Sequence, residues 1–152
     1  MRKTHRAVVF TRGKVVVWSP GLHAYWPVWS EPIKVCVVRQ SLNLHYQTLL
    51  TVDSEAIVVA VVIVYVVVDA QKAICETDDI TDTISDVAMR SVKNIVGLIK
   101  IDDLQRTPVK LDTRLRKRMN RDLEIYGIRV TQAFFSDVSK PYVVRLIGSA
   151  AV

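Results

Sequence analysis

Apolar and polar positions change their period near residue 69 of this chain. Before it, apolar runs are short, β-branched and bounded by turn residues, which predicts strands. Ala7–Phe10 and Lys14–Trp18 flank Thr11-Arg12-Gly13, a tight turn. Ser19-Pro20-Gly21-Leu22-His23 reads as a type II turn with Gly21 in the left-handed position. Residues 25–32 read as irregular, because Pro27 and Pro32 break a ladder. Ile33–Arg39 and Gln47–Val52 read as strands, with Leu42, Leu44 and Tyr46 alternating between them. Ala56–Val68 is an uninterrupted apolar run and reads as one long strand.

Beyond residue 69 the period becomes helical. Asp69 is placed to cap a short helix ending at Cys75. From Asp78 to about Ile99, apolar residues recur at three and four: Ile80, Ile84, Val87, Ala88, Ser91, Val92, Ile95 and Ile99. Lys100–Pro108 reads as a loop. Leu111, Leu115, Met119 and Leu123 stripe a second long helix from Val109 to Tyr126, and Gly127 stands where a left-handed cap belongs. Ile128–Phe135 reads as the last strand. Strands followed by helices predict an α+β domain: a mostly antiparallel, twisted sheet of about six strands with helices packed on one side.

Composition sharpens the picture in two places. Of the 152 residues, 27 are valine, concentrated in strand-like segments, while aromatics make up only 7%. Two cysteines, Cys36 and Cys75, exclude a disulfide scaffold or a zinc ribbon and read as small buried hydrophobes. The longest apolar run has 13 residues, too short for a spanning helix, and no signal-peptide pattern opens the sequence. His5, His23 and His45 have no ligand spacing, and no nucleophile elbow or phosphate-binding glycine loop occurs. His23 reads as a turn residue holding a backbone hydrogen bond. Neither catalysis nor a cofactor or metal is expected.

The net charge of +6 is unevenly placed. Glu76, Asp78, Asp79, Asp82 and Asp86 form an acidic stretch with no basic residue. Lys110, Arg114, Arg116, Lys117, Arg118 and Arg121 follow on the second helix against Asp112 alone. Asp78, Asp79, Asp82 and Asp86 on one copy facing Arg114, Lys117, Arg118 and Arg121 on the next would make a head-to-tail interface between subunits. The competing reading is local: acids complement a helix start, and Asp86 with Arg90 makes an i,i+4 pair. The basic helix also raises nucleic acid, which is disfavoured because Tyr126 is its only aromatic and no recognition motif is present.

Two apolar features need a partner. Trp18, Leu22, Tyr25, Trp26 and Trp29 crowd one loop behind Arg2, Lys3, Arg6, Arg12 and Lys14. Tryptophan and tyrosine suit the headgroup zone, and basic residues favour anionic lipid. This loop either contacts a membrane surface or staples itself onto the sheet. In the valine strand, Ile57, Val59, Val61, Ile63, Tyr65 and Val67 would point one way and Val58, Ala60, Val62, Val64, Val66 and Val68 the other. Both faces are apolar, so the strand is covered on both sides within the chain, the favoured reading, or one face meets a partner.

The order of motifs resembles the SPFH domain, also called band 7 or the prohibitin homology domain, of stomatins, prohibitins and flotillins. The residues are Gly13, Pro20-Gly21-Leu22-His23, Pro27, Thr51-Val52-Asp53, Tyr65-Val66-Val67-Val68-Asp69, Gln71-Lys72-Ala73, Arg90-Ser91-Val92, Gly97, Ile101-Asp102-Asp103-Leu104, Tyr126-Gly127-Ile128-Arg129-Val130 and Asp137-Val138. On this resemblance, residues 1–138 are the domain and 139–152 a C-terminal segment starting a further helix. It implies a non-enzymatic scaffold, peripheral to a membrane on its cytoplasmic side, that homo-oligomerises into a ring or cage and regulates a membrane protease or channel. The alternative is a soluble protein-interaction module. The family's N-terminal membrane segment and long coiled coil are absent from this sequence, which reads as a fragment or a minimal relative.

Overall fold

The computed structural model describes residues 4–11, 14–24, 30–102 and 108–141. Seven strands and three helices are found among them. Strands β1 (His5–Thr11), β2 (Lys14–Trp18) and β3 (Ser30–Cys36) form one antiparallel sheet in the order β2-β1-β3. Strands β4 (Gln40–Asn43), β5 (Gln47–Leu50), β6 (Ala56–Val67) and β7 (Ile128–Ser139) form the other. Helices α1 (Ala70–Cys75), α2 (Ile80–Val96) and α3 (Pro108–Leu123) lie between β6 and β7 in sequence.

The α+β class and the antiparallel pairing match the expectation. The strands divide between two sheets, where a single sheet was expected. The physical reason is local closure: β1 pairs with both β2 and β3, so the first three strands complete their own ladders. The 12 residues of β6 are then long enough to take β4 and β5 end to end along one edge and β7 along the other. Pro32 enters β3 opposite Val9, contrary to the expected break. It is tolerated because β3 is an edge strand. The last strand runs on to Ser139, past Phe135, because β6 continues beside it through two bulges.

The core lies against one face of β6. Ile57, Val59, Val61, Ile63, Tyr65 and Val67 are buried, and they cluster with the apolar stripes of α2 and α3. Burying each such side chain stabilises by about 1.5–3 kcal/mol. On the other face Val58, Val62, Val64 and Val66 are only half-buried and stand outside the core cluster, while Val68 is exposed. Among the described residues, the favoured expectation that the chain covers both faces is therefore not met; Ala60 alone on that face is buried.

Caps fix the helices as the sequence suggests. The Asp69 carboxylate accepts from the Gln71 and Lys72 amides, and that of Asp79 accepts from Thr81 and Asp82. After α3 a 3-10 turn, Glu124–Tyr126, ends on Gly127, whose φ of 66° is left-handed. A Cβ there would come within 2.7 Å of Asp69, so only glycine fits. The Gly127 carbonyl accepts from both the Val68 and Asp69 amides, at 2.9 and 3.0 Å. This junction locks the end of β6, the start of α1 and the start of β7 together.

Candidate interaction surfaces

The loop after β2 begins with Trp18, whose ring stacks on His23 with centroids 4.9 Å apart. The His23 Nε2 donates to the Ser19 carbonyl at 2.7 Å, the backbone hydrogen bond expected of it. Pro20 and Gly21 form a bend; Gly21 has φ 157°, not the roughly +80° of a type II turn. Trp18 is half-buried, whereas Leu22 is fully exposed, at 102%. An apolar side chain held out in this way can enter a lipid surface. Tyr25, Trp26 and Trp29 lie outside the described residues.

Asp78, Asp79, Asp82 and Asp86 are exposed at the start of α2, with Asp79 engaged as its N-cap. The expected Asp86–Arg90 pair does not form. Among the described residues, the ion pairs are Arg118–Asp122 at 3.2 Å and Lys140–Glu55 at 3.0 Å.

The basic residues of α3 border different hollows. Arg114 and Arg118 flank a hollow of about 310 Å³ with Asn94, Ile95 and Leu98. Arg118 also borders an adjoining hollow of about 700 Å³ with Lys93, Leu50 and Leu98. Lys117 is exposed and lines neither. Arg121 lines a different cleft, with Lys72 and Arg129. The Arg114–Arg118 hollow sits at the C-terminal end of α2, about 20 Å along that helix from its acidic start at 1.5 Å per residue. Sequence reasoning missed Lys93, Leu50 and Leu98 here. Leu98, at 78% exposure, follows Gly97 just beyond the helix end, and that position is the one signal it gave.

Other polar groups serve the fold. The Asn120 side chain donates to the Val130 carbonyl and accepts from the Val130 amide, at 2.9 and 2.8 Å, clamping α3 to β7. Asp112 accepts from the Phe135 amide at 3.2 Å; burial raises its pKa, and this hydrogen bond opposes the rise. The Tyr65 hydroxyl donates to Gln40, and burial raises its pKa. Cys36 is half-buried and Cys75 exposed, so the expectation that both are buried fails for Cys75, which lies at the end of a six-residue helix. Among the described residues, no group of three or more metal-ligating side chains comes together, and no helix is long and apolar enough to cross a membrane.

Residues 1–146 match the family described as SPFH domain / Band 7 family. A stomatin homolog of Pyrococcus horikoshii is 27% identical over 142 residues, covering 93% of this chain and 53% of its own length. Stomatin-like protein 3 of Homo sapiens is 24% identical over 144 residues, covering 93% of this chain and 50% of its own. An uncharacterized protein of Methanocaldococcus jannaschii is 24% identical over 135 residues, covering 88% and 68%. The chain spans about half the length of these two stomatin relatives. Since the match takes in both sheets and all three helices, the chain belongs to the SPFH domain / Band 7 family.

Proposed function

We propose that this chain is the SPFH domain of a non-enzymatic, membrane-associated scaffold that assembles head to tail with copies of itself. Family membership supports membrane association and a scaffold role. The observation that carries self-assembly is the separation of charge along α2. Asp78, Asp82 and Asp86 stand at one end with no ion pair among the described residues; Arg114, Arg118 and Lys93 border an apolar hollow at the other. Two different complementary surfaces on one chain make a heterologous contact, which closes into a ring or cage if the rotation closes. Leu50 and Leu98 supply the apolar centre such a contact needs. Leu22 supports contact with lipid, and a membrane protease or channel is the class of client that fits such a scaffold.

Light scattering on the eluting species tests assembly. Arg114→Glu with Arg118→Glu should reduce the native mass to that of one chain, and mixing with an Asp82→Lys, Asp86→Lys chain should restore a larger species. An unchanged mass in the first variant overturns the head-to-tail reading. Sedimentation with anionic vesicles tests the membrane. Binding that falls in Leu22→Ser supports it; no binding by the unaltered chain leaves a soluble interaction module in its place.

A further inference from the structure

A second basic site lies away from the proposed contact. Lys72 from α1, Arg121 from the last turn of α3 and Arg129 from the start of β7 converge on a cleft of about 600 Å³. They come from three different elements, and Lys72 is distant in sequence from the other two, so helical periodicity alone does not bring them together. All three are exposed, and none is in an ion pair among the described residues.

Each cation has an ordinary explanation on its own. Arg121 complements the negative end of the α3 dipole, and Lys72 that of α1. Their convergence is not explained that way, because like charges brought into one cleft repel. The cleft also contains two carboxylates, and neither pairs with a cation. The Asp69 oxygen is held by the Gln71 and Lys72 amides, at 3.1 and 3.2 Å. Glu124 is exposed and forms no ion pair among the described residues.

The cleft is preformed. Its floor is the Gly127 junction, where one carbonyl holds two amides and the backbone packs too closely for a Cβ. A Cβ on Gly127 would lie 3.1 Å from the Cβ of Lys72, so the base of that side chain borders the floor. Asn120 clamps α3 to β7 beside it, which fixes the helix that carries Arg121 relative to the strand that carries Arg129. Two guanidinium groups and one ammonium lining one cleft match a phosphate, which accepts bidentate hydrogen bonds from arginine and a point charge from lysine.

We infer that the Lys72–Arg121–Arg129 cleft binds a phosphate-bearing anion, either a phosphorylated lipid headgroup or the same group free in solution. This inference does not rest on self-assembly, since the Arg114→Glu, Arg118→Glu change leaves the cleft intact.

The test uses the full chain and two probes: inositol 1,4,5-trisphosphate in solution, and phosphatidylcholine vesicles with and without the lipid carrying that headgroup. Calorimetry should show the soluble probe binding, and Lys72→Ala, Arg121→Ala, Arg129→Ala should weaken it by about tenfold or more. A control, Lys110→Ala, Arg116→Ala, Lys117→Ala, removes the same charge from exposed positions on α3 outside the cleft lining and should bind as the unaltered chain does. Circular dichroism melting should be similar for all three proteins. Vesicle binding that needs the phosphorylated lipid and is competed by the soluble probe assigns the site to a headgroup; binding of the soluble probe alone assigns it to a free phosphate. Equal loss in the control and the cleft variant, no loss in the cleft variant, or no binding of either probe by the unaltered chain overturns the inference.

Discussion

Asp112 shows how one side chain can couple the helical layer to the sheet. It stands on α3 and takes the Phe135 amide of β7, a contact that an uncharged amide could also make. Burial raises its pKa above the usual carboxylate value. The folded chain therefore holds this proton more tightly than the unfolded chain does. Its contribution to stability is most favourable at low pH and declines as pH rises through the window between the ordinary and the raised value. Asp112→Asn keeps an oxygen for Phe135 and removes the charge. Denaturant unfolding from pH 3 to 7 should show a flatter decline across that window and equal or higher stability at neutral pH. A steeper decline would mean that the charged form is the stabilising one. The sequence showed Asp112 only as the lone acid among bases; its role depends on a strand 23 residues further on.

At the scale of the element, β6 has two unlike faces that its sequence presents as alike. Val61 is buried against the helical layer, and Val64 on the other face is half-buried. Valine and threonine are nearly the same size, so exchanging them isolates the cost of a buried hydroxyl. Val61→Thr should lower unfolding stability by about 1–3 kcal/mol, and Val64→Thr by less than about 1 kcal/mol. Equal losses measured by urea denaturation would show that both faces are covered in solution. The alternation of β6 was legible, because period two decides which residues share a face. Which face the helices take was not, because β-branched residues occupy both.

At the scale of the molecule, charge is distributed so that neutralising one end leaves the other unsatisfied. The proposed contact between the acidic start of α2 and the Arg114–Arg118 hollow would be electrostatic at its rim and apolar at Leu50 and Leu98. Salt shortens the range of the first component, from about 10 Å at 0.1 M to about 3 Å at 1 M. The native mass should therefore fall as salt rises, most steeply at low chain concentration. A mass independent of salt would exclude the charge pairing as its cause. Residues 114, 118 and 121 share a face of α3, yet neighbouring elements divide that face between a hollow with Leu98 and a cleft with Lys72 and Arg129.

The sequence by itself determined what depends on neighbours along the chain. The change of period near residue 69, the caps at Asp69 and Asp79, the left-handed Gly127 and the order of motifs that marks the family are all local, because backbone geometry and hydrogen bonding act over a few residues. Tertiary structure alone decided the division into two sheets, which depends on how far β6 extends as a template for three other strands. It also decided which valine face is buried, which arginines line the same hollow, and that Lys72, Arg121 and Arg129 share a cleft. These outcomes bring together residues tens of positions apart, and their physical cause is packing, which no window of sequence contains.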